Sequence, residues 1–380
     1  MKRKIIILGS TGSIGENAIR VAHSLNDEIE VVGVAAGQRV DRLTEQARLL
    51  NCRYAGIGSP ELFSQLSESL PATCQPLSGI NGMVEMASAP EVDIVLCAVV
   101  GTAGLKPVLA AINAGKTIAL ASKEIMVMAG DIVTRAAAEN NVDILPVDSE
   151  HAAIYQGLQG RKMEEVERII LTASGGPFRQ TPLQELTHAT YDKALAHPTW
   201  DMGPKITIDS ATMMNKALEL IEARWLFDTE PENIDVLIHP QSIIHSMVEF
   251  IDGSLIALLG QPDMRQPIQY ALTHPERRAG ELPKCDLAKV GCLTFEDLDN
   301  TKFPAIELAR SALQQGGTMP AVFNAANEVA VDFFRREKIG FLQIPETVRQ
   351  IMAEHKVCDH PTLETILEAD EWARNQLVKP

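Results

Sequence analysis

The sequence predicts an α/β protein in three parts: an N-terminal doubly wound parallel sheet, a central α+β domain with a flap, and a C-terminal helical domain. Three observations lead there. Over residues 1–148 short β-branched runs alternate with helically spaced ones. The glycine-rich stretch Gly9-Ser10-Thr11-Gly12-Ser13-Ile14-Gly15 follows the first of those runs directly. From residue 305 onward the apolar spacing is almost wholly helical.

Strand-like runs occupy residues 5–8, 30–35, 54–57, 92–99, 117–121 and 143–147. Their near-continuous apolar character suits parallel strands covered on both faces. The stretch after the first run spaces Ile14, Ala18, Val21, Ala22 and Leu25 along one side of a helix. Such alternation builds a sheet with helices on both faces, so residues 1–148 form a Rossmann-like domain. Beyond it, runs at 168–172, 234–238 and 247–250 are separated by loops dense in Gly, Pro and His, where chemistry tends to sit. That gives a central domain over 149–273, with the loop 197–205 as its flap. Residues 274–304, rich in charge and proline, read as a linker, and 305–380 as a helical domain broken at Gly316-Gly317 and Pro345.

A chain of 380 residues exceeds what one hydrophobic core usually holds, and 46% apolar with 22% charged residues is the balance of a folded protein. A net charge of −16 argues against nucleic-acid binding, which needs clustered Lys and Arg. Any anionic substrate must be captured locally. Lys2-Arg3-Lys4 precedes an apolar run that ends at Gly9, too early for a signal peptide, and the apolar stretch 94–105 is too short to cross a bilayer. No membrane span is expected. Six cysteines without a Cys-x-x-Cys pair imply free thiols and a cytoplasmic location.

A glycine turn between a strand and an amphipathic helix lets the backbone approach a dinucleotide pyrophosphate at the helix N-terminus. The bland alternative is a tight turn without a ligand. NAD sites usually place a carboxylate about 20 residues further on, at the ribose 2′-hydroxyl. This chain has Gly37-Gln38-Arg39 where the second strand ends, which favours NADP because Arg39 can pair with a 2′-phosphate. A solvated surface arginine is the competing reading.

Asp148-Ser149-Glu150 follows the sixth run, and in an extended segment its two carboxylates point the same way. The stretch 210–219 reads as the opening of a helix, with Asn215 and Glu219 one turn apart and Lys216 beside them. Carboxylate oxygens suit a hard cation such as Mg²⁺ or Mn²⁺; solvated carboxylates and an exposed Lys–Glu pair are the alternative. Ser174-Gly175-Gly176 offers a hydroxyl and free N–H groups for a phosphate, or simply turns the chain. In the flap, Trp200 and Met202 are suited to excluding water, although a core Trp would read the same.

Together these blocks resemble the 1-deoxy-D-xylulose 5-phosphate reductoisomerases, through Lys123-Glu124, Asp148-Ser149-Glu150-His151, Met213-Met214-Asn215-Lys216 and His239-Pro240-Gln241-Ser242. The resemblance implies an NADPH-dependent oxidoreductase, using a divalent cation (Mg²⁺, Mn²⁺ or Co²⁺), that isomerises and reduces a phosphorylated ketose and works as a homodimer. By position, it makes Asp148, Glu150 and Glu219 metal ligands. Lys123, Ser149, Glu150, Ser174, His197, Trp200, Ser210, Asn215, Lys216 and Glu219 become substrate contacts, with Lys123, Glu150 and Glu219 catalytic. Thr11, Gly12, Ser13, Ile14, Gly37, Glu124 and Gly203 match cofactor positions. Gln38, Arg39 and Ser122 are assigned to the cofactor where the chain departs from the usual Gly-Lys-Asn and Ala-Asn-Lys-Glu, and Ala217 replaces a glycine.

Rival readings fare worse. A short-chain dehydrogenase needs Tyr-x-x-x-Lys, which none of the four tyrosines supplies. A semialdehyde dehydrogenase needs a reactive Cys, whereas Cys97 lies in an apolar strand and reads as a core thiol. A catalytically silent NADP sensor keeps the fold but leaves the carboxylate set without a task.

Overall fold

The computed structural model describes residues 2–200 and 202–376. Met1, Asp201 of the expected flap, and residues 377–380 of the expected C-terminal domain lie outside the described residues. Two units emerge: residues 1–125, 133–152 and 263–283 form one, and residues 126–132, 153–262 and 284–380 the other.

In the first unit β1 (Arg3–Leu8), β2 (Ile29–Ala36), β3 (Tyr54–Ile57), β4 (Gln75–Ser78), β5 (Ile94–Cys97), β6 (Thr117–Leu120) and β7 (Ile144–Pro146) form one parallel sheet in the order β4-β3-β2-β1-β5-β6-β7. Order reverses next to β1, which places the crevice for a ligand at the C-terminal end of that strand. Ile5, Ile6, Ile7 and Leu8 are all fully buried, as strands covered on both faces require. Each such side chain contributes about 1.5–3 kcal/mol of burial. The helix Ser13–Ser24 buries Ala18, Ile19, Val21 and Ala22, close to the spacing read from the sequence.

β4 is absent from the sequence reading because Pro76 sits inside it. An edge strand tolerates a proline, since one side of its ladder is unpaired. The helix Arg265–Thr273, placed by sequence in the central domain, packs on Ser13–Ser24 in the first unit.

The second unit holds a mixed sheet in the order β11-β10-β8-β9-β12, made of β8 (Val166–Ala173), β9 (Ile234–Ile238), β10 (Ile244–Phe250), β11 (Leu255–Leu259) and β12 (Glu296–Asp297). β8 and β9 are parallel, while the other pairs are antiparallel. β12 and the short helix Leu287–Val290 fall in the stretch read as a linker. Helices Ala305–Gln315, Met319–Arg335, Gln343–Glu354 and Leu363–Gln376 make up the helical region. The break at Gly316-Gly317 is present, but Pro345 lies in the first turn of Gln343–Glu354, where a missing N–H costs nothing. Phe323, Leu218, Leu220 and Ile221 anchor one apolar core joining these helices to Met214–Leu226.

Candidate active site

Within the first unit, Asp148 follows β7 and precedes the helix Ser149–Gly157. The two carboxylates are therefore not two apart on a strand, as the sequence suggested. Asp148 instead caps the helix: its Oδ1 accepts the N–H of Glu150 at 3.1 Å, the role Asp favours at a helix start. Ser149 Oγ donates to Glu150 Oε2 at 2.8 Å, and Lys123 Nζ lies 2.6 Å from Asp148 Oδ2. Those two side chains are only 7% and 12% exposed, so the pair is braced rather than solvated. His151 Nδ1 stands 3.3 Å from Asp148 Oδ1. Helical i,i+3 spacing brings His151 to Asp148, a contact that an extended Asp148-Ser149-Glu150 segment does not provide.

Lys123 and Glu124 open the helix Lys123–Asn140, and both are buried. Ser122 does not present its hydroxyl to the crevice. That group donates to Val99 O at 2.6 Å, which uses its one hydrogen on backbone.

The glycine turn is sterically tight. A Cβ on Gly15 would sit 2.3 Å from Gly9 O, and one on Gly9, at φ +88°, would sit 2.3 Å from Ala98 O. Thr11 is buried and Ile14 half-buried, while Gly12 and Ser13 are exposed at the start of Ser13–Ser24. Gly37, Gln38 and Arg39 are exposed after β2, and Arg39 donates to Thr11 O at 3.0 Å, which ties the arginine to the turn.

In the second unit Ser174-Gly175-Gly176 follows β8, with φ +84° at Gly175 and +66° at Gly176. Ser174 Oγ accepts the N–H of Gly176 at 3.2 Å. His197 binds the neighbouring hydroxyls: its Nε2 is 3.0 Å from both Ser174 Oγ and Ser210 Oγ. Its Nδ1 accepts the N–H groups of Thr199 (3.2 Å) and Trp200 (2.9 Å), so in the neutral ring the proton sits on Nε2. Burial pushes the His197 pKa below its usual value, which favours that neutral form.

Ser210 belongs to the helix Pro204–Ala211, capped by Gly203, and not to the helix that carries Glu219. Met213, at φ +63°, separates the two, and Met214–Leu226 then presents Asn215, Lys216 and Glu219. Glu219 is 1% exposed, and both Lys216 Nζ and Asn215 Nδ2 engage its carboxylate. Trp200 faces the His245 ring at 6.4 Å between centroids. His239 has Nδ1 against Thr294 O and Nε2 accepting from Ile243 N–H, a structural arrangement.

A sequence-family model described as 1-deoxy-D-xylulose 5-phosphate reductoisomerase matches residues 5–130. A second, for that enzyme's C-terminal domain, matches 144–227, and a third, for the DXP reductoisomerase C-terminal domain, matches 259–376. The 1-deoxy-D-xylulose 5-phosphate reductoisomerase of Pelotomaculum thermopropionicum is 52% identical over 379 residues, covering 99% of this chain and 98% of the relative. The chain belongs to the 1-deoxy-D-xylulose 5-phosphate reductoisomerase family. The reductoisomerase of Chlorobium chlorochromatii is also 52% identical, over 98% of each chain. Among solved structures, the Zymomonas mobilis reductoisomerase in complex with NADPH aligns with TM-score 0.94 at 42% identity, over 99% of this chain and 98% of that one. A DOX-P reductoisomerase in complex with NADPH, fosmidomycin and magnesium aligns with TM-score 0.90 at 40% identity, over 98% and 97%. The reductoisomerase matches reach both units: Lys123 falls in 5–130, and Asp148 through Glu219 in 144–227.

Proposed function

We propose that Asp148, Glu150 and Glu219 hold the divalent cation, and that Lys123, Ser149, Ser174, His197, Trp200, Ser210, Asn215 and Lys216 bind the ketose phosphate, in the NADPH-dependent conversion of 1-deoxy-D-xylulose 5-phosphate to 2-C-methyl-D-erythritol 4-phosphate. The observation that carries this reading is the buried Lys123–Asp148 pair at 2.6 Å, at the C-terminal edge of the parallel sheet in a chain of this family. The donor set fits a hard cation, since all three carboxylates are oriented by hydrogen bonds or ammonium groups and none is a soft ligand. The turn 9–15 fits a dinucleotide, because Gly9 and Gly15 leave no room for side chains and its helix start is exposed. When bound, the cation supplies Lewis-acid polarisation of vicinal substrate oxygens and NADPH supplies the hydride.

The chain's own groups do the rest. Ser174, Ser210, Asn215 and Lys216 anchor the phosphate, so that remote binding energy fixes the reacting carbons. His197 couples that anchor to the flap 197–205: one nitrogen serves the two serines, and the other organises the backbone at Thr199 and Trp200. Lys123 and Glu150 hold and move protons at the substrate hydroxyls. Thr11, Gly12, Ser13, Ile14, Gly37, Gln38, Arg39, Glu124 and Gly203 line the cofactor. Ser122 shapes that edge through Val99. A homodimer in the cytoplasm completes the reading; the dimer is supported by the apolar side chains that β11 leaves exposed at Leu255, Ile256 and Leu259. Incubation with the ketose phosphate, NADPH and Mg²⁺, followed by NMR of the product, is expected to give the branched methylerythritol phosphate with one NADPH consumed per product. NADPH binding without product would leave only a sensor.

A further inference from the structure

Behind the glycine turn lies a side chain that lines no crevice. Gln46, on the helix Val40–Leu49, is 1% exposed, and its amide is used at both ends. Its Oε1 accepts the Ser10 hydroxyl at 2.7 Å, while its Nε2 donates to Ser10 O at 3.0 Å and to Glu16 Oε1 at 2.9 Å. A backbone carbonyl and a carboxylate can only accept, which fixes the orientation of the amide. Ser10 itself is fully buried, and its N–H and that of Gly9 donate to Ala35 O at 2.8 and 2.9 Å.

Glu16 presents a difficulty that this network resolves. It sits in the first turn of Ser13–Ser24, where an anionic pyrophosphate would meet a like charge. Arg42 grips it with two bonds, Nε to Oε1 and a terminal nitrogen to Oε2, both 2.7 Å. Gln46 holds the same carboxylate toward that arginine. Loss of Gln46 would leave Ser10 O without this donor, the Ser10 hydroxyl with only its longer bond to Ala35 O at 3.3 Å, and Glu16 held by Arg42 alone.

We propose that Gln46 is the positioning residue of the pyrophosphate-binding turn: it fixes Ser10 from behind and helps Arg42 keep the Glu16 carboxylate turned aside, so that the N–H groups of Thr11 and Ser13 stand ready for the diphosphate, that of Gly12 being held by Gly9 O at 3.1 Å. The inference rests on the reading that the turn 9–15 binds NADPH.

The test compares wild type, Gln46→Leu and Ser10→Ala for NADPH and NADH dissociation constants (nicotinamide fluorescence), KM for each substrate, kcat and thermal unfolding. Gln46→Leu is expected to weaken NADPH and NADH by the same factor, about tenfold, the net loss of one to two buried hydrogen bonds. At saturating NADPH, kcat and the ketose KM should stay within about twofold, since the reacting groups are untouched. Ser10→Ala, which removes only the hydroxyl arm, should shift both nucleotides by about threefold and carries the test if Gln46→Leu fails to fold. Wild-type nucleotide affinity in the folded variants, or a parallel loss of kcat and ketose KM, overturns the inference alone. Failure of wild type to bind NADPH overturns the cofactor reading and this inference with it.

Discussion

Replacing Glu219 with Gln isolates charge from shape. The carboxylate is 1% exposed, with Lys216 on one oxygen and Asn215 on the other. Glu219→Gln preserves length and offers one oxygen, so it satisfies one of those two donors and faces the other with an amide NH₂. Breaking a buried pair costs on the order of 3–5 kcal/mol, but the residual acceptor and the relieved desolvation of the carboxylate reduce this. A destabilisation of about 1–3 kcal/mol remains, which a 380-residue chain should survive. Losing a directly acting electrostatic group costs about 2.7–4 kcal/mol, roughly 10²–10³-fold in turnover. The expected result is therefore a fall in kcat/KM of at least about 100-fold at fixed Mg²⁺, partly restored by raising Mg²⁺. NADPH affinity should change less than about twofold, because the substitution touches neither the glycine turn nor its supports. NADPH absorbance across a Mg²⁺ titration reads the first quantity, and nicotinamide fluorescence the second. Wild-type turnover in the folded variant would refute the assignment of Glu219 as a metal ligand.

Lys123→Met leaves the Asp148 carboxylate without its 2.6 Å ammonium; thermal unfolding should show a loss of a few kcal/mol, on the order of that for a broken buried pair, and turnover should be abolished. Gly176→Ala places a Cβ 2.7 Å from Ser210 O at φ +66°, so a destabilisation of about 2 kcal/mol or more and a raised ketose KM are expected from calorimetry and kinetics. His197, His274 and His355 all have pKa values pushed below the usual 6.5, chiefly by burial. Their unfolded forms bind protons first on acidification, so stability holds above pH 6.5 and is lost as pH falls below it; His197→Gln should flatten that slope in a Tm series from pH 8 to pH 5.

Much of the first unit was legible because its signals are redundant. β-Branched runs, a glycine turn and helical spacing all pointed to one parallel sheet, and only β4, an edge strand holding Pro76, escaped. β11 was missed for a different reason: the run Leu255–Leu259 is continuously apolar, and such a run does not distinguish strand from helix by period. Local geometry at the site was less legible than its residue list. Asp148 and Glu150 were read as strand neighbours, yet they are a helix cap and a first-turn residue, which is what brings His151 to Asp148. The helix read from residue 210 is two helices, because Met213 adopts a left-handed conformation that nothing in its side chain announces. Ser122 shows the limit of reading by position: its hydroxyl is present, but Val99 O already takes its hydrogen. Gln46 left no signal at all, since a buried glutamine looks like any polar residue on a helix until its partners at Ser10 and Glu16 are seen.

Following NADPH absorbance with 1-deoxy-D-xylulose 5-phosphate, in Mg²⁺ or Mn²⁺ and again after a chelator, with NADH as the control, tests the central claim most directly. Oxidation that requires both the ketose phosphate and the cation, returns when the cation is restored and strongly prefers NADPH is the predicted result. Oxidation unaffected by the chelator, or no oxidation despite measurable NADPH binding, would contradict it.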